Sequence, residues 1–209
     1  MTEIIPSVIA NSFEEVKQKI TQIDDLTAWA QLDIMDGKFV DPTTWKTADD
    51  LEMLDGKIRL DVHLMVVKPE DELKLWLSFV DRILVHVEAT DHLAEIVEVF
   101  KGTPAKLGLV LKIDTPLDVL EDFATEISYV QLMSIDTLGY YGGKFDERIY
   151  DRIRQIKKTY PQIMVGIDGG VNLDNAFKLK EAGADNLIVG SAIWNSENIQ
   201  ETIKKFQAL

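Results

Sequence analysis

Three polar side chains sit near the ends of three short apolar runs: Asp33 in "AQLDIM", His63 in "IRLDVHLM" and Asp168 in "IMVGIDG". A buried carboxylate without a partner is costly, so each needs a neighbour or a purpose. Any one of them alone reads most simply as a hydrogen-bonded structural group. Converging on one place, Asp, His and Asp offer the oxygen and nitrogen donors that a divalent cation such as Zn, Fe or Mn accepts. Two later stretches, "GIDGGVN" and "VGSAIW", pair small residues with a following helix, which suits the backbone N–H groups to an anion such as phosphate. On their own, GG and GS mark tight turns.

These groups need a frame. Apolar runs rich in Ile, Val and Leu begin at Glu3, Ala30, Ile58, Arg82, Lys106, Tyr129, Ile163 and Asn186, which makes eight predicted strands. Amphipathic helical stretches begin between them at Phe13, Glu70, His92, Pro116, Asp146, Asn172 and Asn198, with a shorter one, "KTADDLEML", at Lys46. Strict alternation with short connections implies parallel strands and right-handed crossovers. The spacing predicts an α/β fold, a (β/α)8 TIM barrel in a single domain spanning residues 1–209. The rival, an open doubly wound sheet, normally carries a Gly-rich turn after its first strand, where this chain reads "SVIANSFEE".

In a closed barrel alternate strand residues face inward, and chemistry gathers at the C-terminal strand ends. Gln31, Asp33 and Met35 share one parity, with Leu32 and Ile34 on the other. His63 and Met65 pair in the same way, Met133 ends the sixth strand and His86 lies on the fourth. Asp36 has the opposite parity to Asp33 and precedes Gly37, so holding the loop backbone is its simpler role.

Composition narrows the partners. With 209 residues, 46% hydrophobic, the chain can bury one large core. A net charge of −14 argues against nucleic acid or an anionic membrane, and the absence of cysteine removes disulfides and thiolate chemistry. The opening "MTEIIPSVIANSF" has an acid at position 3 and a Pro in its apolar run, and no run approaches the ~18 apolar residues of a membrane span. The expectation is a soluble cytoplasmic protein acting on a small molecule, assembled as a homo-oligomer of a size the sequence leaves open.

The segments "IPSVIANSF", "LDIMDGKFV", "LDVHLM", "VHVEAT", "MSIDTLGYYGGKF", "GIDGGVN" and "VGSAIW" resemble, in order and spacing, the ribulose-phosphate 3-epimerase family from about residue 4 to about residue 192. The resemblance implies an isomerase of the pentose phosphate pathway that interconverts D-ribulose 5-phosphate and D-xylulose 5-phosphate at C3. One carboxylate would remove the C3 proton and another return a proton to the opposite face, with a divalent metal offsetting the charge of the enediolate. By motif, Asp33 and Asp168 match the acid/base pair and two metal ligands, and His63 matches a third ligand that adjoins the substrate. Ser7 matches a substrate-contacting serine, and Met35, Met65 and Met133 match the methionines that enclose the intermediate. Gly169, Gly170, Gly190 and Ser191 match the phosphate grip, and His86 reads as structural.

The chain also departs from the family. Gln31 stands where the family has a metal-ligating histidine; a neutral amide oxygen is a poorer partner for Zn and favours a harder ion such as Mg, or no metal at all. After the sixth strand a "NPGFGG"-like lid is replaced by "DTLGYYGG", where Gly139, Gly142 and Gly143 are the expected phosphate contacts. "FVDPTTW" lacks an Asn usual after the Pro. Two other readings stay open. One is different enediolate chemistry on a phosphorylated sugar, decarboxylation or aldol cleavage, with Lys112 as the candidate amine. The other is a sugar-phosphate binder without turnover.

Overall fold

The computed structural model describes residues 2–140 and 143–209. Eight strands close into a barrel, each parallel to both neighbours: β1 (Glu3–Val8), β2 (Trp29–Met35), β3 (Arg59–Met65), β4 (Arg82–His86), β5 (Lys106–Leu111), β6 (Tyr129–Met133), β7 (Met164–Asp168) and β8 (Asn186–Val189). The eight apolar runs of the sequence are these strands. Helices α1 (Phe13–Ile23), α2 (Pro69–Trp76), α3 (Leu93–Phe100), α4 (Ile149–Thr159), α5 (Leu173–Ala182), α6 (Ser191–Trp194) and α7 (Ile199–Gln207) lie in the connections. Among the described residues no helix is long and apolar enough to cross a membrane.

Two expected helices are not α-helical. The Lys46 stretch forms a 3₁₀ helix over Ala48–Met53, and the Pro116 stretch one over Leu117–Leu120. Neither start is capped by a side chain. Asp118 with Glu121 and Asp122 would place like charges on adjacent turns of an α-helix, which disfavours continuing it. By contrast, α1 opens on a Ser12 side chain that accepts from the Glu15 N–H, and α5 on a reciprocal Asn172–Asn175 capping box.

The strand parity separates two apolar layers. Leu32, Ile34, Val62, Leu64 and Val85 point outward into the core beneath the helices. Met35, Met65, Leu84, Val110, Tyr129 and Met133 fill the barrel interior. Each large apolar side chain removed from water contributes ~1.5–3 kcal/mol, so a one-residue slip of any strand would exchange both layers at great cost.

At the N-terminal end of the interior, Arg82 donates to Asp61 through Nε (2.9 Å) and Nη2 (2.5 Å), with the Tyr129 ring over its guanidinium at 3.5 Å. Gly108 and Gly166 make room for that ring: a Cβ at Gly166 would collide with Tyr129 Oη, and one at Gly108 with Leu84 and Tyr129. This ion pair closes the barrel floor and leaves the opposite mouth for chemistry.

Candidate active site

Strand register brings the sequence candidates together. Asp33 pairs with His63 and Met35 with Met65 across β2 and β3, Ser7 pairs with Gln31 across β1 and β2, and Met133 pairs with Asp168 across β6 and β7. All of these positions share the inward parity; Gln31 lies one inward step below Asp33, in the N-terminal half of β2, and the others lie in the C-terminal halves of their strands. Asp33, His63 and Asp168 therefore meet, with one ligand atom from each lying within 4.8 Å of the others.

Gln31 sits among them. Its Nε2 donates to Asp33 Oδ1 and to Asp168 Oδ2, both at 3.0 Å, and lies 3.4 Å from His63 Nδ1. His63 Nδ1 faces Asp33 Oδ1 at 3.2 Å and Asp168 Oδ2 at 3.5 Å. A second amide, Gln131 Nε2, donates to Asp168 Oδ2 at 2.9 Å. Sequence reading passed over Gln131, although it shares the inward parity of Met133 on β6. Ser134 fixes the strand end by donating its N–H to the Asp168 carbonyl at 2.7 Å and its hydroxyl to the Asp168 and Gly169 carbonyls.

Burial dominates the electrostatics. It raises the Asp33 carboxyl above its ordinary range, and the nearby Asp168 charge adds to the rise, while bonds from His63 and Gln31 oppose it. Burial alone would lower the His63 imidazole, yet its bonds to Asp168 and Asp33 outweigh that and lift it to about 9. The cluster thus holds positive charge on the imidazole between two acids.

The donor set fits a divalent cation. Two carboxylates and an imidazole nitrogen from three strands form it, while Gln31 turns its Nε2 toward them and leaves Oε1 buried without a hydrogen-bond partner among the described residues. Oxygen donors outnumber nitrogen, which suits a harder ion better than Zn.

A pocket opens above this cluster, lined by Ser7, Asp33, His63, Met65, Met133, Asp168, Gly139, Gly169, Gly170, Gly190 and Ser191. Ile9, Ile135, Tyr140, Val171 and Ile188 complete its wall, and the motifs had not marked these residues. Met35 lies outside the lining: it is fully buried below Gly139, where a Cβ would approach its Sδ to 3.2 Å. Gly143 packs against Ile135 and Gly170 rather than lining the pocket. The expectation for Gly142 lies outside the described residues. Gly169 and Gly170 have φ of 109° and 65°, conformations that only glycine adopts without strain.

Other expectations are also placed. Asp36 accepts from the N–H groups of Lys38 (2.8 Å), Phe39 (2.9 Å) and Val67 (2.9 Å), so it ties two mouth loops together rather than facing the pocket. Lys112 lies with Nζ over the Phe39 ring at 4.4 Å and is not part of the pocket wall, which leaves the Schiff-base alternative without its amine.

Fold and site together define a (β/α)8 barrel with paired carboxylates and a histidine gathered inside it below the C-terminal mouth. The model of the ribulose-phosphate 3 epimerase family matches residues 3–194, and the chain belongs to that family of isomerases. It is 32% identical to the chloroplastic ribulose-5-phosphate-3-epimerase of Arabidopsis thaliana, covering 98% of this chain and 76% of that protein. With the ribulose-phosphate 3-epimerase of Synechocystis it shares 32% identity over 96% of this chain and 90% of the relative, and with that of Bacillus subtilis 28% over 99% of both. Among solved structures, a mutant tryptophan synthase alpha-subunit from Pyrococcus furiosus superposes with a TM-score of 0.76 at 17% identity, covering 99% of this chain and 98% of that one. Orotidine 5'-monophosphate decarboxylase from Sulfolobus solfataricus superposes at 0.68 with 14% identity, covering 100% and 97%. These two likenesses speak to the barrel alone.

Proposed function

We propose that this chain, as one barrel domain, epimerises D-ribulose 5-phosphate and D-xylulose 5-phosphate at C3, with Asp33 and Asp168 as the acid/base pair. The observation that carries this reading is the Gln31 amide, 3.0 Å from both carboxylates, which come from strands β2 and β7 on either side of β1 and β8. One carboxylate removes the C3 proton and the other, carrying a proton, delivers it to the opposite face. Two acids this close do not both ionise readily, and the raised Asp33 carboxyl matches the partner that starts protonated.

Asp33, His63 and Asp168 would hold a divalent cation, which supplies positive charge beside the substrate's oxygens. Met65 and Met133 cover the reacting carbons and keep water from them, and Met35 supports them from below. The backbone of Gly169, Gly170, Gly190 and Ser191 grips the phosphate, with Ser7 and Gly139 nearby. The first-turn N–H groups of Asp174 and Asn175 are already taken by Asn172, so the grip on that side belongs to the glycine turn rather than to α5 itself.

The test is incubation with ribulose 5-phosphate in deuterated water, with and without Mn, Fe or Zn, reading deuterium at C3. Incorporation is expected. Protein that binds the cation and the sugar phosphate yet exchanges nothing at C3 overturns the reading.

A further inference from the structure

Behind His63, away from the pocket, runs a second line of polar groups. His63 Nε2 faces His86 Nε2 at 2.9 Å, and both imidazoles are fully buried. Their planes are 27° apart with centroids 5.0 Å apart, so the rings meet edge to edge, as an N–H···N bond requires. His86 Nδ1 in turn faces Glu88 Oε2 at 3.1 Å. The other carboxylate oxygen, Oε1, accepts the Lys112 N–H at 2.8 Å and the Thr115 hydroxyl. Phe39 covers His86, with ring centroids 4.8 Å apart.

We infer that Glu88 and His86 are positioning residues that keep a proton on His63 Nε2, so that Nδ1 is the nitrogen that gives its lone pair to a cation held with Asp33 and Asp168. The inference rests on His63 serving as a cation ligand. It follows from counting protons along the line. The Lys112 N–H can only donate, which anchors Glu88 Oε1 as an acceptor and leaves Oε2 to accept the His86 Nδ1 proton. Neutral His86 then has a bare Nε2, and only one proton fits between the two facing Nε2 atoms. That proton must be on His63. Once a cation displaces the Nδ1 proton, the His63 left protonated at Nε2 gives the ion its lone pair from Nδ1, the atom that points at Asp33 and Asp168. The direction of every bond in the line is thus set at Glu88, two hydrogen bonds away from the ligand atom. A carboxylate behind a metal-ligating histidine commonly fixes its tautomer and ring orientation; here a second imidazole extends that arrangement by one step.

Glu88→Gln tests this with a change of one atom. Lys112 N–H still needs an acceptor, so the carboxamide oxygen takes the Oε1 position and the NH2 faces His86 Nδ1. Now His86 must accept at Nδ1 and carry its proton on Nε2, which forces the His63 proton to Nδ1. Both rings invert. The readout is the nitrogen NMR spectrum of protein labelled with ¹⁵N-histidine, without metal and with added Zn. The chain has three histidines, and His92→Gln removes the signals of the exposed third.

In the native chain His86 is expected to be protonated at Nδ1 in both states, and His63 at Nε2 with Zn on Nδ1. In Glu88→Gln the expectation is His86 protonated at Nε2 and Zn affinity lower by ~10–100-fold. Unchanged tautomers and unchanged Zn affinity in the variant overturn the inference. So does a proton on His86 Nε2 in the native chain, a result that needs no variant to fold. If Zn leaves His63 Nδ1 unshifted in the native chain, the cation-ligand reading fails instead, while the His86 tautomer still decides the direction of the line.

Discussion

Gln31 reaches across the barrel mouth to Asp168, 137 residues later in the chain, with its amide nitrogen 3.0 Å from the carboxylate. The same nitrogen holds Asp33, so one neutral side chain spaces the two acids that line the pocket at the barrel mouth. An amide can do this with hydrogen bonds alone, but it offers a cation only a weak carbonyl donor.

Replacing it should therefore retune the site. Gln31→His adds an imidazole to the donor set and is expected to tighten Zn binding by ~10–100-fold, read by competition with a chromophoric chelator. The C3 exchange rate with Zn should rise alongside. Equal Zn affinity in the two proteins would show that position 31 does not face the cation.

Separating the two acids requires following each epimer. Asp33→Asn and Asp168→Asn should each lower epimerisation by ~10²–10⁴-fold. Each variant retains one base, so one is expected to exchange the C3 proton of ribulose 5-phosphate and the other that of xylulose 5-phosphate. Loss of exchange from both epimers in both variants would point to a shared role in binding instead.

The His63 imidazole ties stability to pH in the metal-free protein. Its folded value, about 9, lies above the ordinary 6.5, so the proton favours the folded state. That stabilisation is complete below about pH 6.5 and is lost as pH rises through about 9. Urea midpoints of chelator-treated protein should fall across this window, and His63→Asn should remove that part of the slope. Over the same range Zn affinity should rise, because the ion displaces the Nδ1 proton.

Glu88 works in the opposite direction at the acid end. Burial pushes its carboxyl up, but bonds from His86, Thr115 and the Lys112 N–H outweigh it and bring it down to about 2. Its contribution is present above about pH 4.5 and disappears as pH falls toward 2. Acid titration by circular dichroism should show a shallower low-pH loss in Glu88→Gln than in the native chain.

On the barrel floor, Gly166→Ala places a methyl against Tyr129 Oη and should cost ~1–3 kcal/mol, a fall in Tm of about 3–10 °C. That hydroxyl has no hydrogen-bond partner among the described residues. Tyr129→Phe in the Gly166→Ala background should recover much of the loss, and a strictly additive double variant would show that the two positions do not share this space.

Much of this was legible in one dimension, for a physical reason. A parallel barrel buries both faces of every strand, so the strands appear as apolar runs, and polar residues within them stand out at Asp33, His63 and Asp168. Period-two alternation then assigns Asp33 inward and Leu32 outward without coordinates, and the half-buried turn residue Asp36 betrays itself by preceding Gly37. The Lys46 and Pro116 stretches misled because their apolar spacing is helical, whereas the chain closes only short 3₁₀ turns there.

What tertiary structure alone decided is register and direction. Sequence periodicity fixes which face a residue takes, but not which residue lies beside it on the next strand, since that depends on the stagger needed to close the barrel. Only the closed barrel sets Asp33 beside His63, brings Gln131 to Asp168, and moves Met35 beneath Gly139 and Lys112 onto Phe39. The line from His63 through His86 to Glu88 is likewise invisible in the chain order, because hydrogen bonds are short and directional and their partners come from different strands and loops.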